Sequence, residues 1–260
     1  MLHQAKALKG YKLKGRDGEI GKVQVFYFDD HHWKIRYLVA ENGNWLRGRQ
    51  VLISPHALGT VNSGEQYFAV NLSKRQIEDS PPLSSDKPVS RQFEEAYHDY
   101  YGWPMYGVRN ILGPYPYVAG DRLCDSEQQR RESAKEKKAW DHHLRSTQDV
   151  SGHNECATGG EIAHVADFLI DDDRWTIRYL VIDTRNWWPG KKVLVAPRWI
   201  ERVSWSQSKV FVNLLREDIK QSPEYTGDSL ATRDYEAALH QHYQRQPYWV
   251  EEPAAREHFD

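Results

Sequence analysis

Side chains able to do chemistry are plentiful in this chain, but few are spaced to do it together. His31-His32 and His142-His143 are adjacent pairs, and the two cysteines, Cys124 and Cys156, stand apart from both. A structural zinc site wants about four ligands at a clear spacing, and no Cys pair lies near either His pair. Asp171-Asp172-Asp173 lacks the alternating acids and the glycine of a calcium loop, so it reads as a polar hairpin tip. Gly15, Gly18 and Gly21 follow G-x-x-G-x-x-G, and strands surround them. A phosphate-binding fingerprint needs a helix N-terminus at that place, so turn and corner roles are expected of these glycines. No serine elbow, no cysteine beside an activating base and no singled-out pair of carboxylates marks a nucleophile or an acid–base couple. The expectation is a non-enzymatic protein with no catalytic residue, no metal and no cofactor.

The elements that position these residues come in duplicate. Ile35-Arg36-Tyr37-Leu38-Val39 recurs as Ile177-Arg178-Tyr179-Leu180-Val181, a shift of 142 residues. The same shift carries Trp33 onto Trp175, Trp45 onto Trp187, Pro55 onto Pro197 and Ser80-Pro81 onto Ser222-Pro223. Aligned without a gap, residues 18–82 and 160–224 are identical at 26 of 65 positions, far above chance. Each copy is too long for a solenoid repeat and is read as a whole domain.

Within a copy the hydrophobic period is two. Trp33, Ile35, Tyr37 and Val39 share one face, and Lys34, Arg36 and Leu38 the other, which predicts a half-buried antiparallel strand. Arg16-Asp17-Gly18 has the Asp-Gly signature of a tight hairpin. Further short strands are predicted near 49–53, 56–61 and 66–72. About six strands with tight turns predict a small barrel, whose closure removes exposed edges. Ser73-Lys74-Arg75-Gln76 resembles a capping box, and residues 91–101 and 233–243 read as a helix appended to each barrel. His98 and His240 correspond on these helices. Between the copies, residues 126–147 form a charged stretch without an apolar stripe, read as a solvated helix or flexible linker.

The duplicated residues resemble the PRC-barrel family, which includes the cytoplasmic barrel of the photosynthetic reaction centre H subunit and the C-terminal domain of a ribosome-maturation factor. The matching pieces are Gly15 to Val23, Phe28-Asp29-Asp30, Ile35 to Val39, Asn44-Trp45, Val51 to Pro55 and Val70 to Pro82. The second copy matches over 160–223, with Ala163 where the first has Gly21. The resemblance implies a mainly β fold of two small antiparallel PRC-type barrels, each with a short appended helix, joined by a charged linker. The expected domains are 1–108, a linker over 109–150, and 151–260. The family brings no catalytic residues with it, and one fold hosts many functions.

Composition narrows the rest. With 39% hydrophobic residues, 10 Trp and 15 Tyr, the chain can build cores and does not read as disordered. A formal net charge of −2 encodes no global attraction to nucleic acid or to an anionic membrane. Two cysteines outside the repeats fit a reducing cytosol. No apolar run approaches the roughly 18 residues of a spanning helix. The expected location is the cytoplasm or the periphery of the inner membrane.

The candidate partner-binding residues are Trp188, Trp199 and Trp205, which replace Leu46, Ala57 and Ser63 of the first copy, together with the equivalent mid-strand Arg36 and Arg178. Aromatics in loops either cover a barrel end or anchor an interface. The two arginines either bind a partner or pair internally with an acid such as Asp29 or Glu41. The leading expectation is an adaptor for an unknown protein partner; the alternative is an RNA- or ribosome-associated maturation factor. The aromatic tails after each appended helix are expected to pack on a barrel surface, either each on its own barrel or, the favoured arrangement, in a barrel–barrel contact within or between chains.

Overall fold

A computed structural model of the chain describes residues 1–41, 50–81, 91–104, 144–151, 154–158, 160–184, 190–204, 206–227 and 231–251. Strand makes up 44% and helix 27% of the described residues, so the class is mainly β, with a sheet curled into a half-barrel. The chain divides into two compact units. One comprises residues 10–31 and 36–144; the other comprises 1–9, 32–35 and 145–260. Strand β1 (Leu2–Gln4) and the one-turn helix α1 (Ala5–Leu8) therefore open the chain but belong to the unit built on the second repeat.

The first unit is built from β2 (Lys12–Gly15), β3 (Gly18–Asp29), β4 (Lys34–Glu41), β5 (Val51–Ile53), β6 (Leu58–Asn62) and β7 (Tyr67–Val70). Their order across the sheet is β6-β7-β2-β3-β4-β5, and β2 and β7 pair parallel, which corrects the expectation of a wholly antiparallel arrangement. The β2–β3 hairpin closes with Gly15 opposite Gly18, at the turn expected from Asp17-Gly18. Gly18 has φ +130°, and a Cβ on Gly15 would meet the Leu72 carbonyl oxygen at 2.7 Å, so both positions require glycine. Helix α2 (Lys74–Glu78) starts with the expected capping box. Ser73 Oγ accepts from Gln76 N, and Gln76 Oε1 accepts from Ser73 N. The Asp17 carboxylate of the hairpin also accepts from Lys74 N, at 2.8 and 3.0 Å. Helix α3 (Arg91–Tyr101) follows.

Alternation along β4 predicted one buried face. In fact every residue from Ile35 to Ala40 is buried. Tyr37 and Val39 join Leu52 in a cluster covered by Tyr97 of α3 and by Leu144, the first residue of β8 (Leu144–Ser146). Phe26, Phe28 and Leu38 lie one step out of phase with Val25, Tyr27, Tyr37 and Val39, and are fully buried on the other face. The appended helix supplies the second cover. It lies on its own sheet: the Tyr97 hydroxyl donates to Leu52 O, and the Tyr100 and Tyr101 hydroxyls donate to Gln76 O at 3.0 and 3.3 Å. The expectation that this tail joins one barrel to the other is thereby corrected.

The second unit repeats the strand order with β9 (Asn154–Thr158), β10 (Gly160–Asp171), β11 (Thr176–Asp183), β12 (Lys192–Val195), β13 (Ile200–Ser204) and β14 (Lys209–Leu215), arranged β13-β14-β9-β10-β11-β12. It also holds α4 (Thr147–Val150), α5 (Arg216–Gln221), α6 (Arg233–His242) and α7 (Tyr248–Glu251). β10 has 12 residues, but β9 pairs only with its Gly160–His164 portion. β1 takes up the remaining edge, with Leu2 opposite Asp171, His3 opposite Ile170 and Gln4 opposite Leu169. An uncovered edge would invite pairing with another chain. Asp172 fixes the end of β1, bonding the N-terminal ammonium and, at 2.9 Å, His3 Nε2. Residues 1–9, placed by sequence in the first domain, and 145–150, placed in the linker, are thus corrected to the second unit. The linker's residues 109–143 lie outside the described residues.

In the same unit Lys34 pairs with Thr176, its own equivalent in the other repeat. Ile35 N donates to Trp175 O at 2.7 Å and Ile177 N to Trp33 O at 2.8 Å. Trp33 and Trp175 were expected within the strands. Each instead stands just before its strand in the left-handed region, at φ 56° and 50°, and each is 8% exposed. A bulky residue held there costs on the order of 1–3 kcal/mol, and the reciprocal hydrogen bonds hold both.

Candidate functional site

Each unit buries a polar cluster where its appended helix meets the strand after the first hairpin. On α3 and α6 a glutamate and a histidine four residues apart share one helix face, Glu94 with His98 and Glu236 with His240. The strands supply Arg36-Tyr37 and Arg178-Tyr179, and the ends of β3 and β10 supply Asp29 and Asp171.

In the first unit the Tyr37 hydroxyl lies 2.8 Å from Glu94 Oε1 and 3.1 Å from His98 Nε2. Arg36 bridges two acids, donating from Nη2 to Glu94 Oε1 at 2.8 Å and from Nη1 to Asp29 Oδ2 at 3.2 Å. His98 Nδ1 sits 3.0 Å from Pro104 O. A carbonyl only accepts, so Nδ1 carries the proton and Nε2 of the neutral ring is an acceptor. Tyr37 has one proton for two acceptors, Nε2 and the glutamate.

The second unit keeps the side chains and changes the partners. Tyr179 lies 3.0 Å from both Glu236 Oε1 and His240 Nε2. Arg178 donates to Asp171 Oδ2 at 3.1 Å and stacks 4.0 Å over the Tyr248 ring, while Glu236 takes Arg233 at 3.2 Å instead. His240 Nδ1 has no partner at full hydrogen-bond geometry among the described residues, but the Arg245 and Gln246 carbonyls favour a proton on the ring, as the carbonyls beside His98 do.

Electrostatics set the protonation states. Burial pushes the Tyr179 hydroxyl up, reinforced by Glu236, so it keeps its proton at neutral pH. Burial also raises the Glu236 carboxyl, with Arg233 pulling it back. His98 and His240 are both lowered by burial and are neutral near pH 7. The arrangement clamps a helix to a sheet. No family model matches the chain, and no curated protein matches it either.

Of the residues expected to face a partner, Arg36 and Arg178 are buried and paired, Arg36 with Asp29, one of the two acids expected from sequence. Trp199 is 4% exposed and packs on His240 and Tyr243, with ring centroids 5.3 and 4.8 Å away. Trp199 is thereby corrected from a partner-facing to an interior residue, and the two arginines follow the internal-pairing reading given for them. Trp188 and Trp205 lie outside the described residues. Among the described residues, no group of three or more His, Cys, Asp or Glu side chains could hold a metal ion. Glu94 and Glu236 were missed. The shift of 142 carries one onto the other, and Arg91 onto Arg233, so extending the repeat comparison past residue 82 would have found them.

Proposed function

We propose that the chain is a non-enzymatic cytoplasmic adaptor or scaffold of the PRC-barrel type. Its two small barrels hold a protein partner at the membrane surface or in an electron-transport assembly. The observation that carries this reading is the duplicated cluster: both copies use their Arg, Asp, Glu, Tyr and His to fix a helix on a sheet. Groups so used rigidify a platform and leave no open acid–base pair. Among the described residues no helix is long and apolar enough to cross a membrane, so the reading needs only surface attachment.

A second reading, an RNA- or ribosome-associated factor, draws on Arg130, Arg131, Lys135, Lys137 and Lys138, which are interspersed with Glu127, Glu132 and Glu136. Affinity capture of the full chain from native lysate, read by mass spectrometry, tests the adaptor reading. Near-stoichiometric capture of one or a few proteins, stable to salt, is expected. Retention of total RNA on filters that falls steeply with salt would favour the second reading, and substrate turnover by the purified chain would overturn both.

A further inference from the structure

The two repeats differ sharply at one position of the long strand. The first has Val25, which packs on its unit's apolar cluster; the second has Asp167. There a cavity of about 390 Å³ opens, lined by Gln4, Lys6, His164, Asp167, Asp183 and Lys192 among others, all within the second unit. Asp167 is 5% exposed. Its Oδ1 accepts from the backbone N–H of Lys6 at 3.1 Å and of Phe168 at 2.8 Å. Its Oδ2 has no hydrogen-bond partner among the described residues. Burial raises the Asp167 carboxyl, and the charges of Lys6 and Lys192 act against that. Neither ammonium is ion-paired among the described residues.

The lining makes two opposite demands. A buried carboxylate with an open oxygen calls for a cationic donor. Two unpaired ammoniums at the same cavity call for an anion. A metal dication or a polyamine meets only the first demand and is repelled by the lysines. Inorganic phosphate meets only the second and is repelled by Asp167 and Asp183. One molecule carrying both charges meets both. We propose that this cavity binds a small zwitterion, a free α-amino acid, with its ammonium on Asp167 Oδ2 and its carboxylate between Lys6 and Lys192. The volume falls within the usual range of small-ligand sites. The first repeat has Val25 and Gln50 at the positions of Asp167 and Lys192, so it does not carry the same charged lining. The site stands independently of the adaptor reading.

The test is isothermal titration calorimetry of the full chain with each of the twenty protein amino acids, up to millimolar concentration. Saturable binding of at least one is expected. Its decarboxylated amine and its deaminated acid should each bind about tenfold more weakly or worse, since the amine gives up the attraction of the two lysines and the acid leaves the buried Asp167 unanswered. Asp167→Asn keeps an oxygen for the two amides and removes the charge, and should weaken binding at least about tenfold with the melting temperature retained. Lys192→Gln, at an exposed position, should weaken the zwitterion and not the amine, whose binding should hold or strengthen as a repelling cation is removed; it carries the test if Asp167→Asn does not fold. The proposal is overturned if no amino acid gives saturable binding, if the amine binds as well as the zwitterion, or if either folded variant leaves the affinity unchanged.

Discussion

Replacing Arg36 by Met should damage its unit more than the equivalent Arg178→Met damages the other. Arg36 is the cation shared by Asp29 and Glu94, whose side chains are 16% and 5% exposed. Its removal takes the shared cation from two carboxylates, leaving Asp29 with His31 N at 2.9 Å and Glu94 with the Tyr37 hydroxyl, and breaking a buried pair costs about 3–5 kcal/mol. Among the ion pairs of the described residues, Arg178 joins Asp171 while Glu236 joins Arg233. Asp171 also accepts from Asp173 N at 3.2 Å. Arg178→Met therefore loses one charge-assisted interaction and the stack on Tyr248, together about 2–3 kcal/mol. A gap of about 1.5–2 kcal/mol corresponds to a local opening constant larger by roughly 10–30-fold in the Arg36 variant. Two compact units need not unfold in a single transition, so the readout is amide hydrogen exchange by mass spectrometry, with peptides from β4 and β11 followed separately. Equal loss of protection in the two variants, or a larger loss with Arg178→Met, would refute the shared-cation account.

Burial lowers the pKa of His98 and His240, so their contribution to stability is fully present above the unfolded value of 6.5 and is lost as pH falls below it. The urea midpoint should drop between about pH 7 and 5, and the double variant His98→Gln/His240→Gln should flatten that slope. Glu236 acts in the opposite sense: its raised carboxyl gains relative stability on acidification, so Glu236→Gln should steepen the acid loss. Leu215 occupies the N-cap of α5 without a side-chain cap and is 56% exposed, where the first copy has the capping Ser73. Leu215→Ser should stabilise the second unit by about 0.5–1 kcal/mol, and Ser73→Ala should cost about 1 kcal/mol in the first, both read from thermal melts. Deleting residues 1–9 should expose the β10 edge, raising exchange at 169–171 and the mass measured by light scattering.

Local signals were legible because their causes are local. The Asp17-Gly18 turn, the Ser73–Gln76 box and the strands near 51–53, 58–62 and 67–70 each follow from a few neighbouring residues. The pairing of Arg36 with Asp29 spans only seven residues across one hairpin. What escaped the sequence is long-range. β4 reads as half-buried because its second cover arrives with Glu94 and His98, 57 and 61 residues after Tyr37. Trp33 reads as a strand residue because nothing in its alternation encodes a positive φ held by the hydrogen bond that its carbonyl accepts from Ile177 N and the one that Ile35 N donates to Trp175 O. Trp199 looks like a surface aromatic because its neighbours, His240 and Tyr243, lie about forty residues further on.

The strand that completes the long β10 edge is synthesised well before its partner. Gln4 pairs with Leu169, 165 residues downstream. At about 5–20 residues per second, roughly 8–33 s separate the synthesis of the two. For that interval residues 2–4 are a strand without a sheet. Once β10 emerges, its free edge is open to whichever matching strand is nearer, including that of a neighbouring nascent chain on the same message. The order of synthesis thus makes crowding of ribosomes a determinant of how much of this protein closes on itself, and slowing initiation should raise the monomeric yield.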